Sequence, residues 1–207
     1  MGFYQADQQC WKLLKILDLW SEALDNGDSI EVIYLDFRKA FDLVPHRRLL
    51  KKIEYYGIQD PFKSWLEDFL KDRKLFVAFG DEKSESVEVT SGIPQASVLG
   101  TLMFVLYIND LPDCLENTVY MFADDSKLFQ IALDVTNFGA MNNDLEKLDS
   151  WSEKWLLQFN PDKCKQMTIS KRPNFTSERR ALMDSIQNLP IQIAPTSYEK
   201  GSRCCPR

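Results

Sequence analysis

Apolar and polar positions along the chain switch between the period of a helix and that of a strand. Trp11, Leu14, Leu17 and Leu24 fall near helical spacing, and Asn26-Gly27-Asp28 closes the run, which predicts a helix over 9–25. The β-branched apolar run 30–37 predicts a buried strand with Asp36 at its carboxyl end. Residues 38–42 predict a turn or short helix. A helix over 45–56 comes next, opened by Pro45 and ended by Gly57, and Asp60-Pro61 starts another through Trp65, Phe69 and Leu70. Residues 74–79 and 86–90 predict two strands of a hairpin joined by a polar segment. After a loop at 91–97, the apolar stretch 98–111 predicts a helix buried on most faces.

The stretch 119–129 consists of two apolar runs separated by Asp124-Asp125. It predicts a tight β-hairpin with both carboxylates at the turn. Asp-Asp is a poor turn by conformational preference, and its like charges repel, so the pair is either solvated or bound to something cationic. Met141, Leu145, Leu148, Trp151, Trp155 and Leu156 predict an amphipathic helix over 137–159, stopped by Asn160-Pro161. A final strand is predicted at 165–170. Beyond Pro173 the period is lost, with a short helix at 177–186 and a loose tail from 191. The order of elements fits an α+β fold: an antiparallel sheet with helices packed on one face, of the split βαβ, ferredoxin-like type.

Composition narrows the chemistry. The chain has 207 residues, enough for one sizeable domain, and five cysteines without CxxC spacing, which is reduced, intracellular usage. Neither a secretory leader nor an apolar run of membrane-spanning length is read, so no membrane partner is expected. The sole histidine, His46, excludes Cys/His zinc fingers and imidazole-rich metal sites. Any metal should be a hard cation on oxygen ligands, with Mg²⁺ or Mn²⁺ leading. Net charge is −6, yet residues 171–207 hold seven basic against three acidic residues. The remainder is therefore more acidic than the total suggests, and nucleic acid would need a basic groove or bridging metal ions.

Asp36 alone reads as readily as an N-cap for the next helix. On the predicted topology, however, it ends a strand beside the Asp124-Asp125 hairpin. Adjacent strands lie about 4.8 Å apart, so these carboxylates can share one cation or a pair. Two such metals support phosphoryl transfer by positioning and electrostatics, with no histidine required.

Four segments carry a resemblance. They are Val32-Ile33-Tyr34-Leu35-Asp36-Phe37-Arg38-Lys39-Ala40-Phe41-Asp42, Ser91-Gly92-Ile93-Pro94-Gln95-Ala96-Ser97-Val98-Leu99-Gly100, Phe122-Ala123-Asp124-Asp125, and Trp155-Leu156-Leu157-Gln158-Phe159-Asn160-Pro161-Asp162-Lys163-Cys164. In order and spacing they resemble the reverse transcriptases of LINE-type, non-LTR retrotransposons. The resemblance implies a polymerase palm with partial fingers over 1–170 and a basic, poorly ordered tail over 171–207. It implies RNA-directed DNA polymerase activity, with two Mg²⁺ or Mn²⁺ ions, an RNA template, a DNA primer and dNTP. It implies that Asp36, Asp124 and Asp125 bind metal, joined by the Phe37 backbone carbonyl. Phe41 matches an aromatic gate against a ribose 2′-OH, for which the competing reading is a core phenylalanine. Pro94, Gln95 and Ala96 match a loop along template and incoming nucleotide. Lys163 matches a lysine that protonates the pyrophosphate leaving group, against the plainer reading of a solvated surface lysine. The nucleus is a fitting compartment for such a product.

Two departures stand out. Ala96 replaces a glycine that would allow close backbone approach and φ > 0. Thr101 replaces a proline at the start of the 98–111 helix, where threonine folds nearly as well. Template-gripping segments before residue 28, a primer grip, a thumb and an endonuclease are not read, so a retroelement fragment is expected. The alternative is a truncated, catalytically inactive palm remnant with at most metal or nucleic-acid binding. An RNA-binding module of split βαβ type would present aromatics and basic residues at the centre of its sheet, where this chain has carboxylates.

Overall fold

The computed structural model describes residues 2–133, 139–172 and 194–195. Helix α1 (Gly2–Asp25) leads into β1 (Ser29–Asp36), followed by α2 (His46–Tyr55) and α3 (Phe62–Leu70). Four two-residue strands come next: β2 (Lys74–Leu75), β3 (Ala78–Phe79), β4 (Glu82–Lys83) and β5 (Val87–Glu88). Then come α4 (Val98–Ile108), a short 3₁₀ turn (Pro112–Cys114), β6 (Thr118–Phe122), β7 (Asp125–Ala132), α5 (Gly139–Trp155), β8 (Lys165–Ser170) and β9 (Ala194–Pro195). The main sheet runs β6-β7-β1-β8-β9, antiparallel except for the β8–β9 pair. The fold is mixed helix and antiparallel sheet, as the alternation of periods predicts. Among the described residues no helix is long and apolar enough to cross a membrane.

The central strand explains the layers. Ile33 and Leu35 of β1 and Leu128 of β7 point into the main core, formed with Leu49, Ile53, Leu66, Leu70, Met103, Phe104, Leu145 and Leu148 of α2 to α5. Ile30 and Val32 alternate to the other face and meet Phe129, Ala23, Trp20 and Leu24. The expectation of helices on one face is corrected here: α2 to α5 lie on one face and α1 on the other. A strand apolar on both faces needs cover on both. The stripe of α1 is also rotated from the expected one. Ile16 and Ala23 are buried, whereas Trp11, Leu14 and Leu17 are exposed. Helix α4 is likewise less enclosed than expected, burying Met103, Phe104, Tyr107 and Ile108 while exposing Val98, Leu102 and Val105.

Other boundaries shift for local reasons. Pro45 is the residue before α2 rather than its first, in extended conformation. Pro61, not Asp60, is the residue before α3, and the Asp60 side chain one position further out accepts from the Ser64 N–H at 3.1 Å. The predicted hairpin over 74–90 forms as two ladders, Lys74↔Glu88 with Leu75↔Val87 and Ala78↔Lys83 with Phe79↔Glu82. Their registers differ by one residue, which is a bulge near Glu85. Helix α5 stops at Trp155, short of the expected Phe159, because Leu156 turns left-handed (φ 54°) and the chain from 157 onward serves the sheet. The Leu157 N–H donates to Ser152 O and the Leu156 N–H to Glu153 O, a Schellman ending with leucine where glycine is usual. The short helix expected at 177–186 and most of the tail fall outside the described residues.

One buried charge ties three helices together. Lys52 of α2 is 3% exposed, donates to Asp110 Oδ1 and the Tyr107 carbonyl at 2.5 Å, and lies 3.7 Å from the Trp155 ring centre. Burial pulls its pKa down to about 8, with Asp110 opposing that shift. Burial also raises the Tyr107 hydroxyl. Between pH 8 and 10.5 unfolded Lys52 keeps a proton that the folded chain releases, so this residue makes stability rise with pH. Tyr107 acts oppositely above pH 10, where only the unfolded form ionises. Urea unfolding of wild type against Lys52→Met should therefore shift in favour of wild type by about 2–3 kcal/mol from pH 8 to 10.5. A pH-independent difference would contradict the assignment.

Candidate active site

Three chain segments meet at the end of β1. On one edge β1 pairs with β7 in the register Tyr34↔Lys127, Leu35↔Ser126, Asp36↔Asp125. Asp36 and Asp125 are thus direct cross-strand partners on one face, where Cβ atoms lie about 4.5–5.5 Å apart. On the other edge β8 pairs with β1 only as far as Tyr34. Beyond it, residues 158–160 take over: the Arg38 N–H donates to Gln158 O and the Asn160 N–H to Asp36 O, both at 2.8 Å, around a Phe37↔Phe159 bridge. The turn after Asn160 delivers Lys163 and Cys164. Lys163 Nζ lies 3.3 Å from Asp36 Oδ1 and 3.4 Å from Oδ2. Cys164 is buried beneath, its Sγ 3.9 Å from the Asp36 carbonyl, and burial pushes its thiol pKa up.

The hairpin turn differs from the sequence expectation by one residue. Phe122 pairs with Asp125, so the two turn residues are Ala123 and Asp124, and Asp125 is the first residue of β7. Ala123 has φ 51° and Asp124 is not left-handed, a pattern in which glycine is normally preferred at the first position. Among the described residues neither Asp124 nor Asp125 makes a side-chain hydrogen bond or ion pair.

The loop over 91–97 is sewn to the segment after β1. The Gly92 N–H donates to Val44 O and the Ile93 N–H to Phe41 O, Ser91 Oγ donates to Asp42 O, and Gln95 Nε2 donates to Asp42 Oδ1 at 2.9 Å. Gly92 has φ 85°, and a Cβ there would sit 2.6 Å from Asp42 O. Its carbonyl accepts from His46 Nε2 at 2.7 Å and also from Arg73. The lone histidine is therefore a brace for this loop. Ser97 caps α4, accepting from the Gly100 N–H at 3.0 Å and donating to Pro94 O at 2.9 Å. Gly100 permits that contact, since a Cβ on it would lie 2.0 Å from Pro94 O. Thr101 donates its N–H to Ser97 O, a bond that proline at this position would remove.

The sequence-predicted residues divide into those that converge and those that support. Asp36, Asp125 and Lys163 come together, with Asp124 on the adjoining turn. Phe37 is buried, its ring stacked on Phe159 at 4.7 Å. Phe41 is half-buried and stacked on Phe104 of α4 at 4.8 Å, a core contact. Gln95 and Ala96 are exposed, and Ala96 has φ 57°, the conformation for which glycine was expected. His46, Arg73, Gly92, Gly100 and Cys164 support the site without having been singled out as such. Ser97-x-x-Gly100 at a helix start was the available signal for two of the contacts.

Among the described residues no three His, Cys, Asp or Glu side chains converge closely enough to hold a metal as they stand. One atom nevertheless fits a hard cation. Asp36 Oδ1 is buried without a hydrogen bond and has the Lys163 ammonium 3.3 Å away as its counter-charge, a place that a hard cation could also take. Asp36, Asp124 and Asp125 are the carboxylates that would hold such an ion.

The sequence model of the reverse transcriptase (RNA-dependent DNA polymerase) family matches residues 5–193. The chain belongs to that family. Its relatives come from mobile elements. It is 27% identical over 178 residues to a probable RNA-directed DNA polymerase from transposon BS of Drosophila melanogaster, covering 78% of this chain and 19% of that protein. It is 26% identical over 172 residues to the RNA-directed DNA polymerase from mobile element jockey of the same species, covering 78% and 18%. With the retrovirus-related Pol polyprotein from type-1 retrotransposable element R2 of Popillia japonica it shares 25% over 178 residues, covering 74% and 28%. The chain spans about a fifth to a quarter of the length of these relatives. The family match also reaches past residue 170, where the sequence set the tail apart.

Left-handed geometry at alanine costs about 1–2 kcal/mol, partly offset by the freer unfolded chain that glycine brings. Ala96→Gly and Ala123→Gly should therefore each raise the unfolding free energy by about 0.5–1 kcal/mol in urea titration. Gly100→Ala, which helix propensity alone would favour, should instead lower it by about 1–3 kcal/mol. A stabilised Gly100→Ala variant would contradict the close approach of Pro94.

Proposed function

We propose that this chain is the palm core of an RNA-directed DNA polymerase that joins a dNTP to a primer 3′ hydroxyl. The observation that carries the reading is the Asp36↔Asp125 register, with Asp124 on the adjacent turn and Lys163 3.3 Å from Asp36. The sheet order β6-β7-β1-β8 supports the split βαβ, ferredoxin-like palm, because the first strand lies between the second hairpin strand and the last strand. Two divalent ions, when bound, lower the barrier by polarising the attacking hydroxyl and neutralising charge on the phosphates.

The protein's own part is positioning. Asp36, Asp124 and Asp125 supply oxygen ligands, with the Phe37 carbonyl as a fourth. Gln95, fixed by Asp42, and Pro94, fixed by Ser97, present the 91–97 loop to template and incoming nucleotide. Phe41, whose ring stacks on Phe104, is the gate against the sugar 2′-OH in this reading. Lys163 is the proton donor to pyrophosphate, on a turn that keeps its ammonium beside Asp36.

A second reading keeps the fold without the activity. It is favoured by the absence, among the described residues, of three convergent ligands. Primer extension separates the two. With Mg²⁺ or Mn²⁺, an RNA template, a DNA primer and dNTP, the chain should add nucleotides, and Asp124→Asn should lower the rate by at least about 100-fold. Equal incorporation by wild type and mutant overturns the assignment, and no incorporation by a folded wild type establishes the remnant.

A further inference from the structure

We propose that Lys163 has a role before any nucleotide arrives: it is a built-in counter-ion that holds the Asp36 carboxylate in the metal-free chain and yields it to an entering divalent cation. The inference rests on the reading of Asp36, Asp124 and Asp125 as a hard-cation site.

The two partners are held very differently. The Asp36 side chain is 23% exposed, whereas that of Lys163 is 64% exposed. Asp36 is fixed by the strand: its carbonyl accepts from the Asn160 N–H, and Cys164 packs against it. The Lys163 backbone is anchored by its N–H to Asn160 O at 3.1 Å, so the turn stays docked while the four-carbon side chain is free to swing. Asp36 Oδ1 is buried and makes no hydrogen bond, with the Lys163 ammonium 3.3 Å away, and that ammonium donates to the neighbouring Oδ2 at a long 3.4 Å, so the pair is held by charge and one weak hydrogen bond. Such a contact is easily exchanged for a divalent ion, which carries twice the charge and binds the oxygen lone pairs directly.

The surroundings need this counter-charge. Asp36 faces Asp125 across the ladder, and Asp124 sits on the turn just before it, so three carboxylates gather at two strand ends. Lys163 is the cation in contact with them among the described residues. Lys165, two residues on, is directed away, its Nζ donating to Asp162 O at 2.9 Å. The two lysines bring similar charge to the neighbourhood, but one touches Asp36 and the other does not. Lys163 thereby acts as a positioning residue for Asp36 and as a competitor of the cation. Cation entry releases its ammonium at the edge of the site, where it can meet an anionic ligand.

The test is Mn²⁺ binding to the 207-residue chain, followed by loss of the free-ion electron paramagnetic resonance signal, with no substrate present. Lys163→Met should bind Mn²⁺ about threefold to fivefold more tightly than wild type, the range an exposed ion pair supports. Lys163→Arg should stay near wild type. Lys165→Met should change affinity less than about twofold, since it removes charge without the contact. Affinity equal to or weaker than wild type in Lys163→Met overturns the proposal, as does an equal gain in Lys165→Met, which reduces the effect to long-range charge. Asp36→Asn separates the layers. If it loses binding while Lys163→Met is unchanged, only the counter-ion role fails. If it binds as wild type does, the cation site fails and the counter-ion role with it.

Discussion

The antiparallel pairing of β1 with β7 is the constraint on which the rest depends. Its register sets Asp36 opposite Asp125 and so places like charges at the end of a shared ladder. It also sets Ile33 opposite Leu128 on the core face and Val32 opposite Phe129 on the face covered by α1. A slip of one residue would carry each strand's apolar set to the wrong face, so the burial that stabilises the fold also fixes the carboxylates. Core and candidate site are not separable here.

Much of this was legible in the sequence. The apolar runs gave β1 and β8 nearly to the residue, because β-branched strands bounded by turn residues leave few alternatives. The hairpin was legible, but its turn was placed one residue late. Asp-Asp draws the eye, whereas the pairing puts the left-handed position on Ala123, whose composition carries no signal for it. The end of α5 is not legible, because Trp155 and Leu156 continue the helical period. What ends the helix is a leucine in a glycine conformation and the demand of β1 for a partner beyond β8. The brace on the 91–97 loop is invisible in the sequence, since His46 and Arg73 lie 27 residues apart and meet each other, at 3.3 Å, only where both reach Gly92 O in the folded chain. Sequence spacing cannot report a contact made where the start of α2, the segment after α3 and a distant loop fold together.

Backbone strain gathers around the candidate site. Of the five described non-glycine residues with positive φ, four flank its segments: Lys39 after Asp36, Ala96 in the loop, Ala123 beside Asp124, and Leu156 ahead of Lys163. Such residues persist only where surrounding structure over-determines them, and they tend to cluster where function needs a fixed geometry. Here the core under the site supplies that determination: Phe104 beneath Phe41, Phe159 against Phe37, and the Lys52 cage holding the end of α5. The molecule accepts local strain in order to present carboxylates, loop and lysine on rigid ends.

The central claim is that Asp36, set opposite Asp125 by the β1–β7 ladder, and Asp124, on the turn just before β7, act as one cation site. A double-mutant cycle on Mn²⁺ affinity with Asp36→Asn, Asp124→Asn and the pair tests it most directly. Shared ligation predicts that either single change removes most of the binding and that the double change adds little more. Losses that simply add, each carboxylate counting independently of the other, would contradict it.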